Sequence, residues 1–142
     1  MKEQNYTNHS RYVFLYHFVT LPLSVALIIG SIINLTHSSK ENLYSASLLV
    51  IVSFLITSVA WYCRQFALKA QDRAIRAEEN IRHFILSGKP LDARLRMSQI
   101  IALRFAPNEE FPDLCQQAAD KSLKGPDIKK AIHHWRADHQ RA

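Results

Sequence analysis

Glycine, cysteine and, over long stretches, charge are scarce in this chain of 142 residues. The three glycines, Gly30, Gly88 and Gly125, are too widely separated to form a glycine-rich nucleotide-binding loop. The two cysteines, Cys63 and Cys115, are 52 positions apart, a spacing that excludes a zinc ribbon and a disulfide framework. A chain this short also excludes a multidomain enzyme.

Charge is missing from two stretches of the amino-terminal half. No Asp, Glu, Lys or Arg occurs in the 28 residues 12–39 or in the 22 residues 42–63. A helix that spans a bilayer needs roughly 20 apolar residues. After a short tail, 1–14, the sequence therefore predicts a transmembrane hairpin over 15–63. Its spans are expected at about 15–35 and 43–63.

A signal peptide and a pair of buried helices both fit these uncharged stretches less well. A cleaved signal peptide has a shorter apolar region than 12–39 and a small-residue cleavage site, which THSSKEN (36–42) does not provide. Two buried helices of a soluble protein would need more chain to cover them, and residues 64–142 are short and highly charged.

The basic residues predict the orientation of the hairpin. Lys2 and Arg11 precede the first span and a basic cluster begins at Arg64, whereas the connecting loop carries only Lys40 beside an acidic residue. Loops rich in Lys and Arg stay in the cytoplasm, so both termini are expected there. The residues expected at the cytoplasmic membrane surface are Arg11, Arg64, Lys69, Arg73, Trp61 and Tyr62.

Small residues predict where the two spans touch. Inside lipid, helices associate through close backbone approach and interhelical hydrogen bonds. The contact within the hairpin is expected to follow Ala26, Gly30 and Asn34 on the first span. On the second span it is expected to follow Ser53, Thr57 and Ala60.

The second span is predicted to continue as one helix from about 43 to 86, because neither glycine nor proline interrupts that stretch. The continuation, 64–87, carries a heptad seam with spacings of three and four residues. Its members are Ala67, Ala70, Ala74, Ala77, Ile81 and Phe84. This seam faces either the protein's own carboxy-terminal helices or another subunit, and the spacing does not choose between them.

Residues 88–142 are predicted to form a small basic helical tail. Gly88 and the proline two residues later end the long helix. Three short helices are expected at about Leu91–Phe105, Glu109–Leu123 and Pro126–His139. Asn108 is expected to be the N-cap of the second. Their few apolar positions should dock on each other, on the long helix or on a neighbouring subunit.

No catalytic residue, cofactor site, metal site or small-molecule substrate is predicted. The densest group of metal-ligating side chains is His133, His134 and His139, but neighbours on a helix point about 100° apart and cannot share a tight site. Residues 64–142 carry 15 basic and 10 acidic side chains, an excess of +5. A membrane surface explains this excess more simply than nucleic acid does.

Four segments carry a resemblance to a family. They are QNYTNHSRYVFLYHFVTLPL (4–23), FALKAQDRAIRAEE (66–79), QIIALRFAPNEEFPDL (99–114) and IKKAIHHWRADHQR (128–141). Together they resemble an uncharacterised bacterial domain-of-unknown-function family of short two-span membrane proteins. The resemblance implies an integral inner-membrane protein with a cytoplasmic helical tail, and it implies no activity or cofactor. The polar and aromatic motifs near the two ends, QNY-x-NH-x-RY and W-x-x-DH, are expected to touch.

The expected fold class is all-α, with a transmembrane hairpin, a long helix that continues from it and three short helices. The leading functional hypothesis is a non-enzymatic membrane protein that self-associates or serves as an accessory structural subunit. Its partners would be the bilayer and a second copy or another membrane subunit. One alternative is an oligomeric channel or membrane-perturbing effector. The other is a membrane-tethered adaptor whose basic tail recruits a cytoplasmic partner.

Overall fold

A computed structural model describes residues 5–6 and 12–138, and these residues form helices, turns and irregular segments without strands. The helices are α1 (Leu21–His37), α2 (Leu43–Ser87), α3 (Met97–Leu103), α4 (Phe111–Asp120) and α5 (Gly125–Ala131). A π-helical segment, Leu15–Thr20, leads directly into α1. The predicted all-α class is confirmed.

The chain divides into two compact units. The apolar unit is Tyr12–Ala67, and the tail unit is Leu68–Ala142 together with Met1–Arg11. The boundary falls four residues beyond the predicted end of the second span.

Two helices are long and apolar enough to cross a membrane. Leu15–His37 has 23 residues and Leu43–Ser87 has 45, and each contains an 18-residue window with a mean hydropathy of 2.1. The uninterrupted α2 matches the single helix predicted at about 43–86. It ends where predicted, since Gly88 follows it with a φ of +71°, a conformation that favours glycine.

Within the apolar unit, α1 and α2 meet through serine. Ser31 Oγ lies 3.2 Å from Ser53 Oγ, and both side chains are buried. Ser24 and Ala46, each seven residues before one of these serines, are also buried and continue the same two faces. Two small hydroxyls thus allow close approach and supply an interhelical hydrogen bond.

The prediction for the first span is corrected by this contact. Ala26, Gly30 and Asn34 are exposed in the chain, and a Cβ added at Gly30 would have no atom within 4 Å. The first span carries two stripes of small residues, and the stripe with hydroxyl groups forms the contact within the chain. On the second span, the buried Ser53 and half-buried Thr57 and Ala60 share the contact face.

The tail unit is built on the last turns of α2. After Gly88 the chain turns back, and the Leu91 N–H donates to Asn80 Oδ1 on α2 at 2.9 Å. Helices α3, α4 and α5 then pack around one core. Gly125 lies so close to α3 that an added Cβ would be 3.2 Å from the Ser98 carbonyl oxygen. The core consists mainly of Ile75, Leu95, Ile100, Leu103, Phe105, Phe111, Leu114, Cys115, Ile128 and Ile132.

The three short helices are shorter than predicted. The first begins at Met97 rather than near 91, because Asp92 accepts a hydrogen bond from the Arg94 N–H and holds a turn there. The second begins at Phe111, and Asn108 is not its N-cap. The third ends at Ala131, and Ile132 has an extended backbone with a φ of −75° and a ψ of 119°.

Candidate functional site

Arg82, near the end of α2, is the polar centre of the tail unit. Its Nε donates to Asn108 Oδ1 at 2.9 Å, one terminal nitrogen donates to Glu79 Oε2 at 3.0 Å, and the other donates to the Ala106 carbonyl at 2.7 Å. The guanidinium carbon also lies 4.2 Å from the centre of the Phe111 ring. These four partners define the Arg82 cluster. A planar cation with five donors suits this role, and lysine could not reproduce it.

Glu79 is the acidic member of the Arg82 cluster and is only 5% exposed. Burial raises the pKa of its carboxyl group, although the cations of Arg82 and Arg136 act in the opposite direction. A carboxylate removed from water needs its cation, so the ion pair with Arg82 is required to keep Glu79 inside the unit.

Glu110 holds the segment that follows α5. Its two carboxylate oxygens accept hydrogen bonds from the backbone N–H groups of His133 and His134 at 3.0 and 3.1 Å. The Arg136 N–H donates to the Phe105 carbonyl at 2.8 Å, and the Trp135 ring packs on the Phe105 ring with centroids 5.0 Å apart. These bonds replace the helical hydrogen bonds that residues 132–136 would have made. The third helix consequently stops early.

Low pH should detach the segment after α5 from Glu110. Burial alone would raise the pKa of Glu110, but the hydrogen bonds from His133 and His134 together lower it below its ordinary value of 4.5. The stability that these bonds supply is therefore complete above pH 4.5 and is lost as the pH falls through the lower, folded-state pKa. We expect Trp135 fluorescence, recorded on the full chain in detergent with Trp61→Phe, to change in that range.

Glu110→Gln is the matched control for this acid transition. It keeps the shape of the side chain but removes the titrating group, so the fluorescence step below pH 4.5 should disappear. An unchanged acid step in Glu110→Gln would contradict the assignment.

Gln99 joins three parts of the tail unit from a buried position. Its side-chain carbonyl accepts from the Arg96 N–H at 2.8 Å and caps α3. Its amide nitrogen donates to the carbonyls of Ala118 and Leu123 at 3.0 and 2.9 Å. A buried amide with its donors and acceptor engaged fixes how α3 and α4 meet.

The predicted heptad seam is exposed along its length. Ala67, Ala70, Ala74, Ala77, Ile81 and Phe84 all lie on the surface of the chain. The tail packs instead on the face of α2 that carries Ile75, Glu79 and Arg82. The interpretation in which the seam faces the protein's own carboxy-terminal helices is therefore wrong. Its pairing with another chain stays a prediction.

The residues predicted at the membrane surface lie in several environments. Trp61 and Tyr62 are exposed, and Tyr62 stacks on Phe66 with ring centroids 6.1 Å apart. The guanidinium carbon of Arg64 lies 5.3 Å from the centre of the Tyr16 ring. Lys69 and Arg73 are exposed on α2, whereas Arg11 lies outside the described residues.

One of the two end motifs contributes a contact to the tail unit. The Lys130 ammonium lies 5.7 Å from the centre of the Tyr6 ring, which places this tyrosine of the amino-terminal motif beside α5. His139 of the other motif lies outside the described residues. Among the side chains that the structure does describe, no group of three or more His, Cys, Asp or Glu could hold a metal ion.

An open groove of about 780 Å³ runs beside the end of α2. Ile81, Ile85 and Leu86 line its helical side, and residues 107–109 and Arg136 line the other. Glu79 and Arg82 form part of its wall but are bonded to each other. The groove consequently presents an apolar helix edge with a polar rim.

These features define an all-helical protein that has two apolar helices of membrane-spanning length and a compact helical tail. The chain belongs to the family of unknown function DUF6526, which matches it over residues 1–142. The resemblance to a domain-of-unknown-function family is thereby confirmed. No curated protein and no solved structure matches the chain.

Proposed function

We propose that this chain is a two-span protein of the bacterial cytoplasmic membrane, with both termini in the cytoplasm. The observation that carries the proposal is the exposure of the two apolar helices. Only 11% of the residues in the apolar window of each helix are buried in the structure, and the exposed residues include Leu23, Ile29, Leu49 and Leu55. Exposed apolar surface of this extent needs an apolar solvent, which a bilayer provides.

The interfacial residues support the same arrangement. Arg64 with Tyr16, and Tyr62 with Phe66, place a cation and several aromatic rings where the second span ends. Such residues are enriched at the membrane–water interface, and basic residues are enriched on its cytoplasmic side.

The tail unit is proposed to act as a structural, non-enzymatic module that associates with other membrane subunits, including further copies of this chain. Its buried side chains Glu79 and Gln99 and the half-buried Arg82 are hydrogen-bonded to neighbours within the unit, which fits a role in maintaining its shape. The exposed seam on α2 supplies a surface for association.

Cysteine labelling tests the proposed topology in intact cells. Ser39→Cys lies in the loop between the spans and Lys121→Cys lies on the tail unit, each placed in a Cys63→Ser background. A membrane-impermeant maleimide should label Ser39→Cys in intact cells and should label Lys121→Cys only after permeabilisation. The protein should also stay in membranes washed with alkaline carbonate.

Two results would overturn the proposal. One is release of the chain by carbonate, and the other is equal labelling of the two cysteines in intact cells. Lys121 is exposed at the end of α4, so folding does not hide the cysteine introduced there.

A further inference from the structure

We infer that the exposed seam of α2 pairs, in parallel and in register, with the same seam of a second copy of this chain. The inference rests on the proposed function, because the membrane would hold both copies in one orientation and at one depth. The seam within the tail unit consists of Ala70, Ala74, Ala77, Ile81 and Phe84.

The two faces of α2 are well separated. At 100° per residue, the seam lies roughly 150° around the helix from the face that carries Ile75, Glu79 and Arg82. The tail covers that second face. Ile81 is 60% exposed and Phe84 is 57% exposed, so these seam side chains are open to contact with a partner helix.

The spacing of the seam residues indicates that the partner surface is an α-helix. Spacings of three and four residues over two heptads, about 21 Å of helix, form the stripe along which a second α-helix packs with its side chains interlocked. Alanine at three of the five positions allows the two backbones to approach closely.

Charge identifies the partner as a second, parallel copy. In the heptad register that the seam defines, Arg73 is at a g position and Glu78 is at the e position five residues later. In a parallel, in-register pair, each g residue faces the e residue five places further along the partner, so Arg73 meets Glu78 twice, once on each side. Both side chains are exposed, and neither forms an ion pair with any residue that the structure describes.

An antiparallel pair would lack this complementarity. There g positions face g positions and e positions face e positions. Arg73 would meet only Phe66, Arg73, Asn80 or Ser87, and Glu78 would meet only Gln71, Glu78 or Ile85. None of these combinations joins opposite charges, so the charges favour the parallel orientation.

Disulfide cross-linking of the full chain in cell membranes tests the orientation. Ala70→Cys and Ile81→Cys lie about 16 Å apart along the helix and are each placed in the Cys63→Ser background. A disulfide needs Cβ atoms about 4 Å apart, so both variants form dimers of twice the chain mass only if the copies are parallel and in register. Arg76→Cys, exposed but off the seam, is the matched control and should cross-link at least about fivefold less.

Charge reversal tests the pairing partner in the Ala77→Cys background. R73E alone or E78R alone brings like charges together on both sides of the pair and should lower the dimer yield about threefold to tenfold. The double variant R73E/E78R restores opposite charges and should recover the yield to within about twofold. A merely structural effect of either substitution would not be reversed by the second.

Three results would overturn the inference. They are a seam variant that cross-links no better than Arg76→Cys, a double charge variant no better than the single ones, and a cross-linked product whose mass is not twice that of the chain. Carbonate extraction of the same membranes separates the two proposals. A chain that stays in the membrane but does not pair contradicts the pairing alone, and a chain that is extracted contradicts the topology.

Discussion

Arg82→Ala is expected to lower the free energy of unfolding of the tail unit by about 3–5 kcal/mol. The substitution removes three hydrogen bonds and leaves the Glu79 carboxylate buried without its closest cation. An unpaired buried charge costs far more than the loss of one ordinary surface ion pair. Denaturant unfolding of the full chain in detergent, followed by Trp135 fluorescence with Trp61→Phe, measures the loss.

Two further variants separate the buried charge from general damage to α2. Arg76→Ala removes an exposed arginine from the same helix and should change the unfolding free energy by less than about 0.5 kcal/mol. The double variant Glu79→Gln/Arg82→Met removes both charges and should lose less stability than Arg82→Ala. If Arg82→Ala were no more harmful than Arg76→Ala, the Arg82 cluster would not be what holds the tail to α2.

Phe105→Ala is expected to lower the free energy of unfolding of the tail unit by about 3–5 kcal/mol, the second large effect. The Phe105 ring is completely buried, packs on Trp135 and lies beneath Arg104, whose guanidinium carbon is 4.8 Å from the ring centre. Truncation leaves a cavity where α3 and the segment after α5 meet, and neighbouring helices can fill it only in part. The same unfolding experiment measures the change, with circular dichroism in place of Trp135 emission.

Phe105→Leu and Ile85→Ala provide the graded comparison for this cavity. Phe105→Leu keeps much of the volume and should cost clearly less than Phe105→Ala. Ile85→Ala removes a side chain that is 75% exposed and should cost less than about 0.5 kcal/mol. Equal losses in all three variants would show that Phe105 is not a core residue.

The features that the sequence predicted well depend on local signals. The length of α2 follows from a stretch without glycine or proline, and its end follows from Gly88, whose φ is +71°. The two apolar helices follow from the lack of charge over residues 12–39 and 42–63. Each of these signals lies within the element that it determines.

The features that were predicted wrongly from the sequence depend on interactions with residues that are distant along the chain. The third tail helix was predicted to reach His139, but it ends at Ala131. The cause is Glu110, 23 residues before His133, whose carboxylate accepts hydrogen bonds from the backbone N–H groups of His133 and His134. Asn108 had the side chain of an N-cap, but its oxygen accepts from Arg82, 26 residues away. Capping residues compete for several bonds, and the tertiary fold decides which one forms.

The contact between α1 and α2 shows the same limit. Two stripes of small residues exist on the first span, one with Ser24 and Ser31 and one with Ala26 and Gly30. Composition alone does not distinguish them, because both permit close approach. The stripe with Ser31 forms the contact because its hydroxyl pairs with the hydroxyl of Ser53, 22 residues away. Only the three-dimensional structure shows this pairing.

The Arg82 cluster was missed for a related reason. Arg82 lies in a charged stretch of α2, where the sequence predicts a solvent-exposed side chain. Its immediate neighbours in the sequence do not distinguish it from Arg76. The usable signal was the acidic residue three positions earlier combined with the polar sequence at 107–110, which the fold places around the guanidinium. Recognising it required knowing that the chain turns back at Gly88.

The two cysteines, finally, differ in chemical reactivity because of where they lie. Burial in the core of the tail unit raises the pKa of the Cys115 thiol to about 12, so at neutral pH it remains protonated and is a poor nucleophile. Cys63 is exposed at the end of the apolar unit. An oxidant or alkylating agent therefore meets Cys63 first, and Cys115 reacts only in chains whose tail unit has opened.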